Sequence, residues 1–147
     1  MLRNVLAVVL GVVAGSVVNM ALIRLNLALF PMPAGADAND PAALRAHLAT
    51  LPAAAFLLPF LAHFGQAFVG GLVAGKLGKA SPRILVGIVG ALTVLGSVLT
   101  NLQLDPPAWT WIELPLYLPV IWGAIRLAER LRGTSASPAV DAGVSPS

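Results

Sequence analysis

Long apolar stretches alternate with short polar breaks along the chain. The apolar stretches cover residues 4–24, 52–75, 84–104 and 109–128. Each is near the roughly 20 residues that a helix needs to cross the hydrocarbon of a bilayer, and each carries few or no charges. The pattern therefore predicts an all-α membrane protein, a four-transmembrane-helix bundle within residues 1–132.

The break after the first stretch predicts a short helix in the first outer loop. Pro31 and Pro33 cannot continue a helix, because proline lacks the backbone N–H. Asp40 is suited to cap a new helix and Pro41 to begin it. Leucines then recur at helical spacing, at Leu44, Leu48 and Leu51. We expect this segment to lie on the membrane surface as an interfacial helix.

The first stretch could also be a cleaved signal peptide, since Ala34-Gly35-Ala36 resembles a cleavage site. A signal peptide has an apolar region of about 7–15 residues with the cleavage site close behind. Here apolar residues continue to Phe30, which favours a retained span. At the other end, residues 133–147 are mostly Gly, Ser, Ala and Pro; such a composition predicts a disordered cytoplasmic tail.

Composition agrees with a membrane protein. Hydrophobic residues make up 58% of the chain and charged residues 10%, against roughly 45–50% and 25% in soluble domains. The absence of cysteine excludes disulfides, thiolate metal sites and a cysteine nucleophile. The net charge of +3 comes from residues that flank apolar segments, where they face lipid head groups; this placement predicts a lipid bilayer partner and no nucleic acid.

The positive charges also predict an orientation. Four spans put seven basic residues on one side and two on the other. The seven are Arg3, Lys76, Lys79, Arg83, Arg126, Arg130 and Arg132, and the two are Arg24 and Arg45. The positive-inside rule then predicts cytoplasmic N and C termini in a bacterial inner membrane. Trp109 and Trp111 would lie at the outer interface.

Small residues recur at helical spacing within the spans. They include Gly11, Gly15, Gly70, Gly71 and Gly87. Helices in lipid associate through close packing, which small residues permit. These glycines are predicted to pack the four helices together, and a homo-oligomer seam stays open as a second role.

Five polar residues at membrane depth form the candidate site: Asn19, His63, Gln66, Asn101 and Glu113. Polar groups inside spans are costly, so they face the bundle interior, pair, or mark a pathway. His63 is eleven residues after Pro52, roughly 16 Å into the second span. The cluster is either a hydrogen-bond network that joins helices or a proton route entering past Glu113 toward His63.

Enzyme chemistry has little support in the sequence. Membrane haem commonly needs paired axial histidines, but the second histidine, His47, falls in the loop. Asp37 and Asp40 lack a third ligand nearby, and no Walker, GxSxG or HExxH pattern occurs. We predict no catalytic residues, no metal and no cofactor.

Several motifs recur along the three best-marked spans. They are Gly11, Gly15, Asn19 and Met20 in the first span, Phe60-Leu61-Ala62-His63 and Val69-Gly70 in the second, and Trp109, Glu113 and Tyr117-Leu118-Pro119 in the fourth. With these motifs the chain resembles, over about residues 4–128, a family of small uncharacterised bacterial four-span integral membrane proteins. The family pattern has a small residue three positions after the histidine, where this chain has Gln66. The resemblance implies the four-span architecture and brings no established activity.

The leading hypothesis from the sequence is a non-enzymatic inner-membrane bundle protein, a packing or interaction component with an unknown protein partner. The alternative is a small transporter or proton-linked channel subunit that uses His63 and Glu113. A membrane enzyme subunit is a third, weaker hypothesis.

Overall fold

The computed structural model describes residues 1–134, and its helices number five in that range. They are α1 (Leu2–Leu29), α2 (Pro41–Leu48), α3 (Leu57–Leu77), α4 (Pro82–Leu104) and α5 (Glu113–Thr134). Short 3₁₀ turns, Ala53–Phe56 and Ala108–Ile112, lead into α3 and α5. Four helices are long and apolar enough to span a membrane. The predicted all-α fold with four spans is therefore confirmed.

Helices α1 and α5 run several residues past the predicted ends of their spans. Helix α1 runs through the exposed Arg24 to Leu29, because nothing before Pro31 interrupts its backbone hydrogen bonds. Helix α5 continues to Thr134, past the predicted start of the tail at residue 133. The rest of that predicted tail, residues 135–147, lies outside the described residues.

The short loop helix is present where the sequence predicts it. Asp40 caps α2, accepting a hydrogen bond from the Ala42 backbone N at 2.9 Å, and Pro41 is its first residue. Prolines also mark where α3 and α5 begin: Pro59 and Pro115 lie in the first helical turns, where proline is tolerated. Pro119 lies inside α5.

Helix α3 is the centre of the bundle, with α1, α4 and α5 all packed against it. On the α1 side, a Cβ on Gly15 would lie 2.5 Å from the Gln66 backbone oxygen. A Cβ on Gly11 would lie 2.9 Å from the Cβ of Ala74. Small residues therefore let the two backbones approach closely, as helices in lipid require.

The opposite face of α3 uses a second stripe of small residues. A Cβ on Gly71 would lie 2.8 Å from a methyl carbon of Val86 on α4, and one on Gly75 would lie 2.9 Å from the Cβ of Ala128 on α5. Gly87 differs from the other predicted packing glycines, because a Cβ there would meet no described atom within 4 Å. Its face of α4 points away from the described bundle.

Polar contacts from the start of α1 and the end of α5 hold the α3–α4 loop. Arg3 Nε donates to the Leu77 carbonyl at 2.9 Å, and the Asn4 side-chain oxygen accepts from the Lys79 backbone N at 2.7 Å. The Arg132 guanidinium donates to the carbonyls of Gly78 and Ala80, each at 2.7 Å. Basic residues of α1 and α5 thus meet at this end of the bundle.

Candidate functional site

A cavity of about 310 Å³ opens at the opposite end of the bundle, beneath α2. All five helices contribute to its walls. The polar side chains among the lining residues are Asn19, Asn26, His47, His63, Thr100, Asn101, Thr110 and Glu113. The remaining walls are apolar, with Ile23, Leu44 and Phe60 among them. Its volume and mixed lining are those of a site for a small molecule.

The floor of the cavity is a hydrogen-bonded pair of side chains from two helices. His63 Nδ1 on α3 lies 3.0 Å from Glu113 Oε2 on α5. The Glu113 side chain is 1% exposed, whereas that of His63 is 17% exposed. The imidazole therefore stands between the buried carboxylate and the open part of the cavity.

Helix α4 supplies the remaining hydrogen bonds to the Glu113 carboxylate. The Ser97 hydroxyl and the Asn101 side-chain nitrogen both donate to Glu113 Oε1, the latter at 3.2 Å. Three donors around one carboxyl group suit its ionised form, which only accepts hydrogen bonds. Nδ1 of His63 then carries a proton toward Glu113, and whenever the ring is neutral its Nε2 keeps a free lone pair.

Aromatic rings line the seam between α3 and α5. Trp109 packs edge-on against Phe56 and Phe60, with ring centroids 5.3 and 5.8 Å apart. Phe64 packs in the same way on Tyr117, at 5.3 Å. The buried Tyr117 hydroxyl approaches Ser97 but makes no hydrogen bond of good geometry among the described residues. These rings shield the polar floor from lipid on that side.

Helix α2 forms the roof of the cavity and is fastened at two points. His47 Nε2 is 3.2 Å from the Phe30 carbonyl oxygen beyond the end of α1. Arg45 donates to the Gln103 carbonyl near the end of α4. These side chains tie α2 to both α1 and α4 above the cavity.

The five predicted site residues do not all meet. His63, Asn101 and Glu113 are joined directly, and Asn19 lines the same cavity. Gln66 is one turn from His63 but lies outside the cavity lining; its Cγ packs beside Gly15. Its side chain faces the α1 contact instead of the polar floor.

Three further residues belong to the site but were not among the five predicted ones. Ser97 precedes Asn101 by four residues, and Tyr117 follows Glu113 by four, so each shares a helix face with a predicted residue. Asn26 follows Asn19 by seven residues, again on the same face. Helical spacing from the predicted residues could have found all three.

Within residues 1–134, no group of three or more His, Cys, Asp or Glu side chains could hold a metal ion. No family model, curated protein or solved structure matches the chain. A functional assignment therefore rests on the geometry of the chain itself.

Proposed function

We propose that this protein is a non-enzymatic small transporter, or a subunit of one, that binds a small ligand from one side of the membrane and exchanges a proton at His63 and Glu113. The observation that supports it is a cavity open at one end of the bundle whose floor is the His63 ring bonded to the buried Glu113 carboxylate. Ionisable groups at membrane depth commonly mark such pathways.

The pair is suited to taking up and releasing one proton. With Glu113 ionised and His63 neutral, the floor carries one negative charge. Protonation of Nε2 converts the ring to imidazolium and makes the pair neutral overall, which lowers the cost of keeping it in an apolar surrounding. Histidine is the side chain that titrates nearest to neutral pH, so this exchange fits physiological conditions.

Access to the pair is one-sided in this conformation. On the far side of His63, Gly15 contacts the Gln66 backbone and Gly11 contacts Gly70 and Ala74. Close backbone packing leaves no room for a water-filled channel there. Transport would therefore need a second conformation, in which α1 or α5 shifts against α3.

A second candidate function is the packing or interaction component. Its support is that the Glu113 carboxylate of α5 is bonded by His63 of α3 and by Ser97 and Asn101 of α4. In this second function the network joins the three helices and has no further role. The two functions differ in whether protons cross the membrane.

Proton flux separates them. In proteoliposomes under an imposed potential, a pH-sensitive dye should report flux above that of empty liposomes. His63→Ala and Glu113→Gln should each reduce it at least tenfold, since each removes one half of the exchanging pair. Glu129→Gln is the matched control on α5, because Glu129 pairs with the exposed Arg83 at 2.8 Å far from the cavity, and it should retain full flux. Folded wild-type protein without flux would refute the transport function, and the packing or interaction component would remain.

The proposal also includes a bacterial inner membrane with both termini in the cytoplasm. The seven-to-two distribution of basic residues supports it, as does the meeting of Arg3 and Arg132 at the α3–α4 loop. In this orientation the cavity opens to the outside.

Reporter fusions test that orientation. A reporter placed after Leu51 should read the periplasmic side and one at Ser147 the cytoplasmic side, because one span would separate α2 from the cytoplasm and three more follow. Alkaline phosphatase and a fluorescent protein report these sides in opposite ways. Both fusions reading one side would contradict the four-span topology, and a reversed pair would contradict the orientation alone.

A further inference from the structure

We propose that the ligand of the cavity is a small aliphatic amine with a second hydrogen-bond donor at its far end, bound through His63 Nε2 and the Asn26 side-chain amide in competition with a proton. This inference rests on the proposed function for its site and adds the chemical class of the ligand. Two unpartnered acceptors, the charge of the lining and the depth of the cavity point to it.

The acceptors are the first argument. Asn26 is 6% exposed and lines the cavity, and its Oδ1 has no hydrogen-bond partner among the described residues. An unpartnered buried amide oxygen is costly, and native structures rarely keep one without a ligand or water. His63 also lines the cavity, and its Nε2 makes no hydrogen bond within residues 1–134. Both groups would accept a hydrogen bond from a ligand that carries N–H or O–H donors.

The charge of the lining is the second argument. Its titratable members are Glu113 on α5, His63 on α3 and His47 on α2, and no lysine or arginine of the described chain lines it. The side chains that α1 and α4 direct to the cavity are uncharged. Tyr117, beside the floor, is neutral at physiological pH. A cation would neutralise the Glu113 charge, whereas an anion would face it unpaired.

The length of the ligand follows from the helix register. Gly15 of α1 contacts Gln66 of α3. From that contact Asn26 is eleven residues along α1, roughly 16 Å, and His63 is three residues along α3, roughly 5 Å. The two acceptors are therefore about 12 Å apart along the bundle. Ile23 on α1 and Phe60 on α3 lie between these two levels of the cavity, and such apolar side chains suit a hydrocarbon body of about eight carbons.

The link to the proton follows from the shared lone pair. Nε2 of His63 can hold a proton or accept an N–H bond from the ammonium group, but not both. When the ammonium group binds to protein whose His63 is protonated, one proton is therefore released to solution. The net charge of Glu113, His63 and the ligand's ammonium group is then zero, as it was for the protonated pair alone. Affinity should therefore rise with pH, up to tenfold per pH unit, as long as a proton on Nε2 competes with the ligand, and should become constant once Nε2 is unprotonated.

Calorimetric titration of the full chain in nanodiscs tests the inference with a matched set of probes. These are 8-amino-1-octanol, octylamine without the hydroxyl, uncharged 1,8-octanediol and anionic 8-hydroxyoctanoate. The amino alcohol should bind at least tenfold more tightly than the diol and the anion. Its affinity should also exceed that of octylamine about five- to tenfold, because octylamine lacks the hydroxyl that donates to Asn26.

Two variants assign the ends of the ligand. Asn26→Leu should make the amino alcohol and octylamine bind equally, while Asn39→Leu, the same change in an exposed loop residue outside the cavity, should preserve the difference. His63→Gln, which can still donate to Glu113, should remove the pH dependence and the proton release measured in buffers of different ionisation enthalpy.

The outcomes separate this inference from the proposed function. Equal binding of amine and anion, or no binding of the amine to protein shown to be folded, would overturn the inference even if proton flux were present. Amine binding with the expected proton release but without flux in proteoliposomes would support the ligand class and refute the transport function.

Discussion

A variant carrying both Gly11→Ala and Gly15→Ala should lose about 2–4 kcal/mol of unfolding free energy. The reason is steric: a Cβ on Gly15 lies 2.5 Å from the Gln66 backbone oxygen, and one on Gly11 lies 2.9 Å from the Ala74 Cβ. Neither neighbour is a flexible side-chain end, so α1 must move away from α3. The loss should exceed the helix-propensity gain of about 0.5–1 kcal/mol per glycine. Titration with a denaturing detergent, followed by circular dichroism, measures it.

Gly87→Ala with Gly96→Ala is the matched control. Neither added Cβ would meet a described atom within 4 Å, so the pair should be neutral or stabilising by about 1 kcal/mol. If the control lost as much stability as the Gly11 and Gly15 pair, Gly87 and Gly96 would face a partner chain. Unchanged stability in the first pair would mean that α1 and α3 are not packed this closely.

The spans and loops could be predicted because their signals are local. Apolar length identifies a span without knowledge of its neighbours. The prolines after α1 and the Asp40-Pro41 start of α2 act through their own backbone geometry. The starts of α3 and α5 were less visible, since the apolar stretches begin at residues 52 and 109 whereas a 3₁₀ turn precedes each α-helix.

The arrangement of the helices could not be predicted from the sequence, because it depends on which helix faces contact each other. Small residues lie on every span, and periodicity alone could not show that α3 uses two stripes for three partners while Gly87 faces outward. Gln66 illustrates the same limit at the site. It shares a helix face with His63 by spacing, but the close approach of α1 at Gly15 turns that part of α3 into a packing surface.

The sequence identified most residues of the polar site, but it could not show which of them bond to each other. His63 and Glu113 stood out because ionisable residues are costly at membrane depth. Their pairing joins positions fifty residues apart, and it depends on α5 lying beside α3. The cavity depends further on α2 covering the gap between α1 and α4, which its hydrogen bonds to Phe30 and Gln103 secure.

Glu113→Leu should destabilise the fold by about 3–5 kcal/mol, because it leaves the two buried donors of α4 and the partly buried His63 ring without an acceptor. The orphaned groups would be the His63 ring N–H, the Ser97 hydroxyl and the Asn101 amide. Glu129→Leu on the same helix should cost at most about 1 kcal/mol, since its partner Arg83 is exposed. The same detergent titration compares the two variants.

Glu113→Gln should behave differently, and the difference tests the assigned protonation. The glutamine oxygen can still accept from Ser97 and Asn101, and its NH₂ can donate to Nδ1 once His63 moves its proton to Nε2. We therefore expect most of the stability to remain, with the His63 tautomer reversed in nitrogen-15 NMR spectra. A loss as large as that of Glu113→Leu would show that the negative charge itself holds the three helices together, and an unchanged tautomer would contradict the assigned bond between Glu113 and Nδ1–H.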